Sequence, residues 1–150
     1  MRRHRAAAYV DTSCLIAIAL GERGAGRLAG QLAGYERLLA SNLLEAELRS
    51  TLLREHVAAA AEPLLSWVAW VLPDRPLDAE LRRIAATGYA SPAGMWHLAH
   101  ALYLAPDGRG LDFLTLDRRQ QQTAAALGFA GSAAGSAGRP PREVRRSTAP

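Results

Sequence analysis

The sequence has no lysine: all 18 of its Lys and Arg positions are Arg. It has a single cysteine, Cys14, which has no partner for an internal disulfide and suits a reducing compartment. No run of 18 or more apolar residues occurs, so no membrane span is expected. No internal repeat is apparent. The opening stretch "MRRHRAAAYVDTSCLIAIALG" imitates an export signal, with arginines ahead of apolar residues. Asp11, Thr12 and Ser13 interrupt that run at its centre, which argues against secretion. These absences point to a cytoplasmic protein with no membrane association.

What remains is a chain of 150 residues, 49% hydrophobic, enough for one domain with a real core. The formal charge of +4 is unevenly placed. Between Ala6 and Phe129, 11 Arg face 13 acids. The excess positive charge sits outside that span, at Arg2, Arg3 and Arg5 and at Arg139, Arg142, Arg145 and Arg146. Arginine-rich ends suit a polyanion such as nucleic acid, and they equally suit plain solvated termini. From Ala130 the chain turns small, polar and Pro/Gly-rich. The expected organisation is a domain over residues 1–129 and a basic, disordered tail over 130–150.

Strands and helices alternate along the domain. "AAAYV" reads as a buried strand ending in Asp11, followed by a helix capped by Thr12 or Ser13 and stopped near Gly21. "RLLAS" is a second strand. "NLLEAELRSTLLREHVAAAAE" reads as one long helix, with Leu44, Leu48 and Leu52 forming a stripe. "LLSWVAWVLPD" begins as a helix and turns to strand near Trp70. "DRPLDAELRRIAATG" is a helix bounded by Pro76 and Gly88. "LDFLTLD" alternates and reads as a strand closed by Asp117, before a last helix stopped by Gly128. This order predicts an α/β fold with a mainly parallel sheet. Ligands of such sheets bind beyond the carboxyl ends of the strands, where Asp11 and Asp117 both fall.

Two carboxylates meeting there repel each other, and a divalent cation relieves the repulsion; oxygen ligands suit Mg²⁺ or Mn²⁺. A third acid comes from the leucine-striped helix, where Glu45 and Glu47 are both candidates. Two apart on a helix, they cannot share a face, and either is equally read as a solvated surface charge. The segment "SPAGMWHLAHALYL" adds a puzzle. Ser91 is a good helix cap and Pro92 fits the first helical position, yet Gly94 stands where a capping box and the helix dipole both favour an acid. His97 and His100 have helical spacing, but no Cys or third His completes a zinc site, and His97 reads as a packed, hydrogen-bonded residue. Trp96 and Tyr103 share a helix face and read as core or as a contact between copies. Arg118 and Arg119 either hold phosphates or are ordinary first-turn surface residues. Asp112 is near enough in sequence to stand as a compensating ligand.

"YVDTSCLI", "LLEAELRSTLLR", "GMWHLAHALYL" and "FLTLDRRQQQTAAALGF" resemble, in order and spacing, the four motifs of PIN-domain proteins, VapC-type toxins in particular. The resemblance spans Ala7 to about Phe129 and implies a three-layer α/β/α sandwich. It also implies a Mg²⁺- or Mn²⁺-dependent endoribonuclease, a small antitoxin that blocks the site, and a homodimer. Carried over by position, Asp11 is the first acid, Glu47 the second and Asp117 the last, all as metal ligands, with Thr115, Arg118 and Arg119 in support. The third acid falls on Gly94, a degenerate motif position. One cation between Asp11, Glu47 and Asp117, with water in the space that glycine leaves, is the expectation for an active chain. The alternative is a catalytically inactive PIN-like binding protein that binds RNA or sequesters an antitoxin.

Overall fold

The computed structural model describes residues 5–135. The arginines at 2, 3, 139, 142, 145 and 146, and the greater part of the expected tail, lie outside the described residues. Residues 130–135 run along the domain surface. Phe113 donates its backbone N–H to the Ala130 carbonyl at 2.9 Å, and the Gln31 side chain holds both the Ser132 carbonyl and the Ala134 N–H.

Four parallel strands form the sheet in the order β3-β2-β1-β4. They are β1 (Arg5–Val10), β2 (Tyr35–Ser41), β3 (Val68–Val71) and β4 (Asp112–Leu114). β1 lies inside the sheet, and its Ala8, Tyr9 and Val10 are fully buried, as a parallel strand covered on both faces requires. Arg5 belongs to this strand rather than preceding the fold: its guanidinium meets Asp112 and the Tyr35 hydroxyl, both at 3.2 Å.

Among the described residues seven α-helices flank the sheet: α1 (Thr12–Ala19), α2 (Ala25–Leu32), α3 (Leu43–Arg54), α4 (Ala61–Leu65), α5 (Asp78–Thr87), α6 (Pro92–Leu104) and α7 (Arg118–Ala126). α1 packs on α2, α3 and α4, and α5 packs on α6 and α7. The expected α/β/α sandwich is thus the architecture of the chain. Leu44, Leu48 and Leu52 are fully buried, as their spacing predicts.

Three local expectations differ. The long helix over 42–62 is broken: α3 ends at Arg54, His56 takes a left-handed φ of 59°, and a short 3-10 turn at Ala58–Ala60 leads into α4. A left-handed residue cannot continue a right-handed helix, and the apolar pattern alone does not reveal it. The strand expected over "LDFLTLD" pairs only through Leu114. Thr115 to Asp117 leave the sheet because their polar groups are engaged by Ser13 and by α7. The cap of α1 is Asp11 itself, ahead of Thr12 and Ser13: its carboxylate accepts from the Ser13 N–H at 3.3 Å.

Candidate active site

β1 delivers Asp11 to the carboxyl edge of the sheet, and β4 delivers Thr115 beside it. The register pairs Val10 with Leu114, and the Asp11 N–H donates to the Leu114 carbonyl at 2.9 Å. Asp11 is 8% exposed. Its Oδ2 accepts from the Ser13 hydroxyl at 2.6 Å, the Ser13 N–H at 3.3 Å and the Thr115 hydroxyl at 3.1 Å. Its Oδ1 faces the Gln120 amide nitrogen at 3.5 Å and His97 Nε2 at 3.8 Å.

α3 brings in Glu47. Its Oε1 lies 2.7 Å from His97 Nε2 and accepts from the Thr12 hydroxyl at 2.9 Å. Glu45 points away and pairs with Arg49 on the surface at 2.8 Å. The two glutamates that spacing left unresolved therefore separate, one into the site and one onto a solvated face.

His97, on α6, is 1% exposed and stands between both acids. The hydrogen-bond network assigns its tautomer. The Tyr9 hydroxyl accepts from the Ser41 N–H at 2.9 Å, so its one proton is free to go to His97 Nδ1 at 2.7 Å. Nδ1 is then the acceptor, and Nε2–H is the donor to Glu47. Tyr9 is itself fixed by a parallel stack on Phe113, with ring centroids 5.4 Å apart.

The remaining acid behaves differently. Asp117 is exposed and turns its Oδ1 to the first amides of α7, Arg119 N at 2.9 Å and Gln120 N at 3.2 Å. It is a helix cap. It joins the site indirectly, because its own N–H donates to Thr115 Oγ1 at 3.1 Å. Arg118 is exposed, and the Arg119 guanidinium lies over the Tyr89 ring at 5.7 Å. Asp112 sits at the amino-terminal end of β4, paired in register with Ala8 and bound by Tyr35 at 2.7 Å, so it is not a compensating ligand. His100 donates from Nδ1 to the Trp96 carbonyl at 2.8 Å and takes no part.

The family model named PIN domain matches residues 8–126, most of the chain. The chain belongs to the PIN-domain family. A comparison with the curated proteins finds no match. PIN domains are in general nucleases that depend on a divalent metal. Tested against that chemistry, the PIN site of this chain falls short. Among the described residues, no three Asp, Glu, His or Cys side chains stand together as a metal site. Hard cations take several oxygens at once, whereas Asp11 Oδ2 already accepts from the Ser13 hydroxyl and N–H and shares the single Thr115 proton with Gln120 Oε1, and Glu47 Oε1 accepts two donors. As arranged, the acids do not fit a cation held by three carboxylates.

Four residues of the PIN site escaped the sequence. Tyr9, Thr12 and Ser13 flank Asp11, and the run "DTS" carried a signal as a turn in which the acid caps its own successors. Gln120 carried none, being one of three consecutive glutamines in a helix.

Burial pushes the Glu47 carboxyl up, but the hydrogen bonds from His97 and Thr12 outweigh it and hold the group below its ordinary value. A carboxyl depressed in the folded state stabilises the protein above its unfolded value, and this contribution is lost as pH falls through the folded one. Thermal melts taken from neutral pH down through the carboxylate range are therefore expected to show a shallower acid loss for Glu47→Gln than for the native chain. Identical acid limbs would refute that role.

Proposed function

We propose that this chain is an endoribonuclease of the VapC type, the toxin component of a type II toxin–antitoxin system, with weakened activity. Its substrate is RNA, its cofactor Mg²⁺ or Mn²⁺, and its partners a cognate small antitoxin and a second copy in a homodimer. Its place is the cytoplasm. No helix among the described residues is long and apolar enough to cross a membrane, which accords with that setting. The observation that carries the reading is the approach of Asp11 and Glu47 to one nitrogen of His97 at the carboxyl edge of a PIN sheet.

In this reading the chain's own residues hold the two carboxylates ready. Thr12 and His97 fix Glu47, and Ser13 and Thr115 fix Asp11. Arg118 and Arg119 are exposed beside Asp117, where guanidinium groups suit RNA phosphates. Weakened activity follows from the degenerate motif position Gly94 and from Asp117 serving as a cap.

The test is cleavage of a mixed, structured RNA pool in Mg²⁺ and in Mn²⁺ by the native chain, Asp11→Ala and Gly94→Asp. Cutting by the native chain that Asp11→Ala abolishes is the expected result. A second reading, an inactive PIN protein that binds RNA or sequesters an antitoxin, is favoured by the internal hydrogen bonds that already occupy Asp11. It takes precedence if Gly94→Asp cuts the pool and the native chain does not.

A further inference from the structure

Gly94 is the third residue of α6, after the Ser91 cap, whose hydroxyl accepts from the Gly94 N–H at 3.1 Å. An acid at this place is favoured by helix chemistry, and water was the expected filling for the space its absence leaves. The structure puts a side chain there. A Cβ added to Gly94 would lie 3.7 Å from Gln120 Nε2 and 3.1 Å from Ser91 Oγ. Gln120 comes from the facing helix α7 and is 5% exposed. Its Oε1 lies 3.0 Å from the Thr115 hydroxyl, and its Nε2 faces Asp11 Oδ1 at 3.5 Å. The reverse placement of the amide would set oxygen against the carboxylate, so the nitrogen faces Asp11.

We propose that Gln120 is a positioning residue for Asp11. Its carboxamide fills the space beside Gly94, directs a neutral N–H at the carboxylate, and keeps a divalent cation from that oxygen. A Cβ at position 94 would meet that amide at ordinary contact distance, so the amide stands beside the glycine without depending on it. A donor from the protein takes the side of Asp11 on which a cation would otherwise be met, and it comes with the chain rather than from solution.

The inference stands apart from RNA cleavage, because its readout is metal binding. The experiment titrates Mn²⁺ into the purified full chain and follows free Mn²⁺ by electron paramagnetic resonance. It compares the native protein, Gln120→Leu and Gln120→Met, with Asp11→Asn added to each. Circular dichroism reports folding. Gln120→Leu removes the donor, so it is expected to bind Mn²⁺ about tenfold more tightly than the native chain, and Asp11→Asn is expected to reverse the gain. Affinity that stays unchanged or falls in Gln120→Leu overturns the proposal. If Gln120→Leu fails to fold, Gln120→Met decides, because it keeps the length and adds neither a donor nor a carboxylate. Tightening of at least about tenfold that Asp11→Asn removes supports the proposal, and any smaller change overturns it.

Discussion

His97→Leu is expected to lower the melting temperature by about 10 °C, close to 3 kcal/mol for a domain of this size. The reason is that one buried ring satisfies both the buried Tyr9 hydroxyl and the half-buried Glu47 carboxylate. Without it, the Tyr9 hydroxyl loses its acceptor and the Glu47 carboxylate loses one of its two donors. Each buried polar group left without a partner costs roughly 1–3 kcal/mol, more when charged. Leucine also removes the edge contact between the imidazole and the Tyr9 ring, whose centroids are 5.7 Å apart. Combining His97→Leu with Tyr9→Phe separates network from packing. The pair should cost less than the sum of the single changes, because Tyr9→Phe removes the hydroxyl that His97→Leu strands. Strict additivity, or a single-variant shift within about 2 °C, would sink the network account.

The second large effect lies away from the acids, where the chain leaves α6 and where it leaves α7. Gly108 has φ +75° and Gly128 has φ +101°, and the two meet backbone to backbone. A Cβ on Gly108 would fall against the carbonyl carbon of Gly128, 2.6 Å from its oxygen and 2.7 Å from the Phe129 nitrogen. No flexible side-chain end is available to move aside. Arg83 of α5 holds the same junction by donating to the Pro106 and Leu127 carbonyls. Gly108→Ala is expected to cost about 3 kcal/mol or more, on the scale of the most damaging single substitutions. Gly110 supplies the control: its φ is +79°, but nothing lies within 4 Å of an added Cβ. Gly110→Ala should therefore show the left-handed backbone penalty alone, roughly 1–2 kcal/mol. Urea unfolding of both variants measures the difference. Equal midpoints would show that the close approach of the two glycines carries no energy.

Layer order and the parallel sheet were legible from alternation and apolar runs, because burial on both faces leaves a near-continuous hydrophobic record in β1. The stripe of Leu44, Leu48 and Leu52 placed α3 for the same reason. The break at His56 was not legible, since a single left-handed residue leaves the composition on either side of it helical. The candidate site divides along similar lines. Asp11 could be placed because a strand end fixes it, and Glu47 because the family pattern chose it over Glu45. The hydrogen-bond partners could not. Tyr9, Thr12 and Gln120 reach their partners only through tertiary packing, and Gln120 in particular is identical in sequence to its neighbours Gln121 and Gln122. Asp117 has a second role that its place in the sequence did not show. Its position at the strand end suggested a ligand, while its carboxylate answers first to the open amides of the helix behind it.

The sheet order has a consequence in time. Of the four described strands β1 is made first, and one of its two neighbours, β4, is made last. The bond between Thr115 and Asp11 joins residues 104 apart. A growing chain can pair β1 with β2 early, but Asp11 has neither Thr115 nor Gln120 beside it until more than 100 further residues have been made. Until then the first acid of the cluster waits half-clothed, at the bare edge of an incomplete sheet. Its chemical character is therefore settled long after it is made, by the residues that follow a strand only three residues long.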